Sequence, residues 1–127
     1  MKALNRVEVI GRVGSDPKVY KSQGGKGCCQ FSVATSNNYT NDKGEWVDKE
    51  ATWHKVVAWG AIGDAAAIQL HKGDLVLVIG KVEIGKYRDD AGIEKTSYSI
   101  VATDIFRPLI SDEGGRASKH TKQEEIY

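Results

Sequence analysis

Between Thr52 and Gly60 the chain alternates with period two, and its two faces differ in kind. A strand here sends Trp53, Lys55, Val57 and Trp59 to one side and His54, Val56 and Ala58 to the other. The second set suits a core. The first puts a cation between two indoles, so that face is predicted to look outward. Upstream, Val7, Val9 and Ile10 to Val13 predict a first strand, which Gly14-Ser15-Asp16-Pro17 ends with turn chemistry before a short extended piece at Val19-Tyr20. Gly24-Gly25-Lys26-Gly27 turns the chain into a second strand, where Cys29, Phe31, Val33 and Thr35 alternate with Cys28, Gln30, Ser32 and Ala34. A polar loop follows, and Tyr39 and Trp46 within it need some partner other than a core.

Gly60 to Lys72 is the predicted helix, because Ile62, Ala66 and Leu70 recur at four-residue spacing, Ala65 widens the stripe, and Gly73 fits a C-terminal stop. The run from Leu75 to Ile79 is continuously apolar and predicts a strand buried on both faces. Gly80 and Gly85 permit the bending a closed barrel needs. Asp89-Asp90-Ala91-Gly92 then turns the chain into a last strand over Ile93 to Ile105. Five strands with one helix between the third and fourth make an all-β, OB-fold order, a small barrel with the helix plugging one end. The expected domain is 1–110. Residues 111–127 turn small, polar and charged, and are expected to form a disordered tail.

At 127 residues the chain suits one domain that needs neither disulfides nor metals for a core. Eighteen basic and 17 acidic residues leave a formal charge of +1, so a polyanion site must come from local clustering. Cys28 and Cys29 are adjacent on an alternating strand, face opposite ways, and are expected to stay reduced in a cytosolic protein. No apolar run approaches a membrane span, and the first strand begins almost at Met1, so neither a membrane partner nor a leader peptide is expected.

The chemistry that suits the outward face of the Trp53–Trp59 strand is the holding of unpaired nucleobases, since every base offers a stackable face and every nucleotide a phosphate. Other constellations carry less. Gly24-Gly25-Lys26-Gly27 lacks the spacing and the following helix of a phosphate loop and reads as a hairpin turn. His54, His71 and His120 have no ligand-like spacing to one another or to the cysteines; His54 reads as a packed polar residue on the inner strand face. Asp42, Asp48 and Glu50 could suggest a metal-dependent nuclease, but charged residues concentrate in such loops to solvate them. No cofactor and no catalytic residue is expected.

Asn5-Arg6-Val7, Gly11, Asp16-Pro17, Ala34-Thr35-Ser36, Trp53-His54-Lys55-Val56-Val57 and Lys72-Gly73 occur in an order and spacing that resemble the bacterial and mitochondrial single-stranded-DNA-binding protein family, from about Asn5 to Ile105. The resemblance implies a non-catalytic homotetramer, assembled through first-strand edges and a second packing of dimers, that sheathes single-stranded DNA in replication, recombination and repair. The family's stacking aromatics fall on Tyr39, Trp53, Trp59 and Tyr87. Lys55, Lys72 and Lys86 fall on positions often basic in the family, and Arg88, next to Tyr87, joins them as a DNA-binding candidate. Glu83 and Gly85 stand where well-known members carry arginines, which implies weaker phosphate contacts.

The family's long linker and acidic recruiting peptide are shortened to residues 111–127, and Glu124-Glu125-Ile126-Tyr127 is the candidate tip for replication and repair proteins. The resemblance implies a cytoplasmic, nucleoid-associated protein. Phage and plasmid versions of the family can also lack the long tail, and the missing leader argues against a mitochondrial one. The alternative, an accessory OB module related to the primosomal dimer proteins and acting mainly through protein contacts, fits less well because those relatives tend to lack most of the stacking aromatics.

Overall fold

The computed structural model describes residues 2–21 and 24–109. Its elements are β1 (Val7–Val13), β2 (Lys18–Lys21), β3 (Gly27–Thr35), β4 (Tyr39–Thr40), β5 (Trp46–Val47), β6 (Thr52–Trp59), α1 (Gly60–Gln69), β7 (Leu75–Arg88) and β8 (Glu94–Phe106). Six of the strands form one sheet in the order β1-β7-β8-β6-β3-β2, and β1 also pairs with β3 at Arg12↔Ala34 and Val13↔Val33. That second pairing closes β1, β7, β8, β6 and β3 into the five-stranded barrel of an OB-fold, with α1 between its third and fourth strands. β2 is an added edge strand on β3. The tail over 111–127 lies outside the described residues.

Alternation along each strand builds the core. Val9 and Val13 on β1, Phe31 and Val33 on β3, and Val56 and Ala58 on β6 all turn inward and are buried. Ala66 and Leu70 close the helical end of the barrel, with Ile62 packed partly against it. No side-chain nitrogen or oxygen is left buried without a partner among the described residues. Gly80 is needed where β7 bends: the register with β8 shifts between Ile79 and Gly80, and a Cβ there would strike the Val101 carbonyl and Ala102.

Three details differ from the sequence reading. The helix ends at Gln69 rather than Lys72, because Leu70 is already extended and the His71 amide is taken by the Asp74 carboxylate at 2.9 Å; Gly73 falls in the turn beyond. Leu75 to Ile79 is not buried on both faces. Val76 and Val78 are fully buried, while Leu75, Leu77 and Ile79 are half-buried on the outside of the barrel, beside exposed Ile10. The polar loop is not featureless, since β4 and β5 pair within it through Tyr39↔Val47 and Thr40↔Trp46. Its asparagines make the ribbon. Asn41 Oδ1 accepts from the amides of Lys43 and Glu45 at the turn, and Asn37 and Asn38 tie its base to Glu50, Thr52 and Lys49.

Candidate functional site

β6 carries Trp53, Lys55 and Trp59 on its outward face as the alternation predicts, and the two indoles are 61% and 40% exposed. The inward face holds buried Val56 and Ala58, with His54 half-buried and bonded to Thr35 Oγ1 at 3.0 Å. Residues in register share a face, so β3 adds Cys28, Gln30, Ser32 and Ala34 to the outward surface, opposite Trp59, Val57, Lys55 and Trp53 in turn. No carboxylate lies on this face of β6 and β3. A chain of nearly balanced charge thus presents one surface that is cationic and aromatic.

The Trp53 indole lies against the end of β1. A Cβ built on Gly14 would overlap its six-membered ring and the Ser32 hydroxyl, so the glycine is what allows the indole to rest on the backbone. Gly14 is itself fixed, its amide donating to the Ser32 carbonyl at 2.8 Å. Asp16 Oδ1 in the same turn accepts from the Lys72 amide at 2.9 Å, which ties that lysine to the segment under Trp53.

Trp59 and Tyr39 have cations beside them. Lys26 Nζ sits 5.7 Å from the Trp59 ring centroid, and Lys49 Nζ lies 5.8 Å from that of Tyr39, which is half exposed on β4. Trp46 points to the opposite face of the β4–β5 ribbon, and its indole N–H donates to Asp48 Oδ1 at 2.7 Å. The ribbon is therefore two-sided: Tyr39 shares its side with a cation, Trp46 with a carboxylate.

On the β7–β8 hairpin, Tyr87 shares a face with Glu83 and Gly85 and is in register with Lys95. Lys86 and Arg88 emerge on the other face. Lys86 pairs with Glu94 at 3.4 Å, both exposed, so that pair is worth little to stability, and Lys95 pairs with half-buried Asp89 at 3.4 Å. Lys26, Lys49 and Lys95 were missed by sequence reasoning. Lys95 was recoverable by counting register outward from the Asp89–Gly92 turn, but the other two depend on how loops fold back.

Because Glu83, Gly85 and Tyr87 share a face, restoring arginines there tests whether a phosphate passes this hairpin. The Glu83→Arg, Gly85→Arg variant is expected to bind a single strand with a steeper log-log salt dependence, by roughly 0.7 for each added phosphate contact. Ser97 Oγ would lie 3.2 Å from a Cβ at position 85, and that hydroxyl can rotate away, so the substitution fits. Equal slopes for the two proteins would exclude the hairpin from the strand's path.

Both cysteines are free and buried, on opposite faces of β3, and burial together with the neighbouring Cys28 raises the Cys29 thiol's pKa. Among the described residues no group of three or more His, Cys, Asp or Glu is placed to hold a metal ion.

A sequence profile described as the single-strand binding protein family matches residues 4–107. The chain is similar to the single-stranded DNA-binding protein of Neisseria meningitidis serogroup A, 38% identical over 103 residues, which cover 81% of this chain and 59% of that protein. The mitochondrial single-stranded DNA-binding protein of Drosophila melanogaster is 39% identical over 106 residues, 83% of this chain and 71% of that one. The chain thus spans about three-fifths of the length of the Neisseria relative. Among solved structures, a Plasmodium falciparum SSB complex with ssDNA superposes with a TM-score of 0.75 at 28% identity, covering 85% of this chain and 97% of that one.

Proposed function

The chain belongs to the single-strand binding protein family, and from that premise we propose that it binds single-stranded DNA without catalysis and with little dependence on sequence. The observation that carries this reading is the outward face of β6 and β3, where two exposed indoles flank Lys55 and no carboxylate intervenes. Bases stack on the rings and phosphates meet the lysines, a mode that needs π-faces rather than base edges and so tolerates any sequence. Tyr39, Trp53, Trp59 and Tyr87 are the stacking residues of this reading, with Lys55 and Lys72 as phosphate contacts. Lys86 and Arg88 belong to it only if the strand also passes the second face of the hairpin.

Competition tests the reading. A labelled thymidine strand should be displaced by unlabelled single strands of any sequence and hardly at all by a duplex of equal length, and it should remain intact in magnesium. Displacement by duplex at equal concentration, or degradation of the label, would overturn the proposal.

Assembly into a homotetramer is part of the same proposal. β1 pairs with β7 over Val7–Arg12 but with β3 only at its last two residues, so the other edge of Val7–Gly11 has no ladder partner among the described residues. No helix among the described residues is long and apolar enough to cross a membrane. The proposed setting is replication, recombination and repair of DNA in the cytoplasm.

The tail is proposed as an appendage to DNA binding, with Glu124, Glu125, Ile126 and Tyr127 as a docking tip for replication and repair proteins. Deleting 111–127 removes Arg116, Lys119 and Lys122 together with Asp112, Glu113, Glu124 and Glu125, a net loss of one negative charge per subunit. Affinity is expected to stay within about twofold or rise slightly, and tetramers to persist. A large loss of affinity, or of tetramers in light scattering, would make the tail a working part of the site or of the assembly.

A further inference from the structure

The added strand β2 lies on the same sheet face as the indoles, and register says which of its side chains join them. Tyr20 pairs with Cys28, which pairs on its other side with Trp59; Lys18 pairs with Gln30, which pairs with Val57. Trp59, Cys28 and Tyr20 therefore form one row across three strands. Two inter-strand steps separate the rings by about 10 Å between backbones. Tyr20 is 48% exposed, whereas Cys28, a small side chain between two large rings, is only 6% exposed. The row is a shallow aromatic saddle.

Its charge continues that of β6. Residues 17–31 contain Lys18 and Lys26 beside this row, Lys21 on the opposite face of β2, and no carboxylate. Lys26 already lies over Trp59, and none of the three takes part in an ion pair among the described residues. β2 is the last strand of the sheet, so nothing of this chain's described residues covers its outer side.

We propose that the single strand runs on past Trp59 across β3 to β2, where Tyr20 stacks a further base and Lys18 contacts a phosphate. This extension rests on the functional reading above and adds to its track rather than replacing any member. A tyrosine at the sheet edge with its ring half in solvent has little packing to contribute, while continuity with Trp59 and the unbroken positive charge give the same ligand chemistry as β6. Cys28 fits between the rings because a larger outward residue there would stand up between two stacked bases.

The test compares variants of the full chain with a long thymidine strand. Tyr20→Ala is expected to weaken binding by about fivefold or more, and Tyr20→Phe to retain affinity, since stacking needs the ring and not the hydroxyl. Lys18→Ala is expected to lower the log-log salt slope by about 0.7 while Tyr20→Ala leaves the slope unchanged. Trp53→Ala serves as the reference. If it weakens binding and Tyr20→Ala does not, β2 is off the track and the extension fails alone; if neither weakens binding, the functional reading fails with it. Failure of Tyr20→Phe to retain affinity would overturn stacking as the role of Tyr20.

Should Tyr20→Ala unfold, photocrosslinking the unaltered protein to a strand carrying 5-iododeoxyuridine decides the matter. Crosslinks in the peptide containing Tyr20, alongside those on β6, are the expected result. Crosslinks on β6 without any on β2 would overturn the extension.

Discussion

Replacing Trp53 and Trp59 together by alanine is expected to weaken binding of a single strand by about 2 to 6 kcal/mol, at about 1 to 3 kcal/mol for each stacked base lost. The folded state should persist. Both indoles look outward, and the residues that close the core beneath them, Val56 and Ala58, are untouched. The two positions are not equal. Trp59 is the less exposed and has Lys26 over its ring, so its loss should cost more stability than that of Trp53 and also release a cation from its place. Isothermal titration of each variant, beside its thermal unfolding curve, separates the two effects. Unfolding in both single variants with unchanged residual affinity would make the indoles core residues.

The second large effect is expected from a residue with no side chain of its own. Gly14→Val puts branched carbon where the Trp53 ring and the Ser32 hydroxyl now lie, so the indole must swing off the end of β1. Loss of one aligned stacking platform predicts a drop of about 1 to 3 kcal/mol in affinity, and forcing atoms into filled space adds about 1 to 3 kcal/mol of destabilisation. In the free protein the Trp53 contribution to fluorescence should shift toward that of an indole in water. The decisive comparison is with Gly14→Val combined with Trp53→Ala: once the ring is gone, the valine needs only a rotation of the Ser32 hydroxyl to fit, so most of the stability should return while affinity stays low. Equal destabilisation with and without the indole would show that the valine disturbs the turn itself rather than the ring.

The barrel was legible in the sequence because its signals are local. Alternation in Val7–Val13, Gly27–Thr35 and Thr52–Trp59 sets which side chains are buried, and the helix stripe at Ile62, Ala66 and Leu70 is a simple period. The helix end was misplaced because Asp74, a residue beyond it, caps the His71 amide. Burial of Leu75–Ile79 was overstated because an apolar run reads the same whether its second face is covered or lies half in solvent.

The site was legible in part for the same reason. Trp53, Lys55 and Trp59 share one strand, so period two places them together without knowledge of any other element. Tyr87 and Lys86 come from family positions and Arg88 from its place next to Tyr87, yet adjacency on a strand means opposite faces, and Lys95 across the hairpin is the cation in register with the ring. Gly14 under Trp53 and Lys26 over Trp59 are contacts between segments far apart in sequence. Only the fold joins them.

Stacking of the outward indoles of β6 against unpaired bases is read out by intrinsic fluorescence during titration with a long thymidine strand. Trp53 and Trp59 are two of the chain's three tryptophans, and a base stacked on an indole quenches it. The expected result is a strong, saturable fall in emission that is halved or more by Trp53→Ala with Trp59→Ala, whereas Trp46, set on the carboxylate side of its ribbon, contributes little change. An emission spectrum that is unchanged at saturation, with binding confirmed by an independent signal, would contradict it.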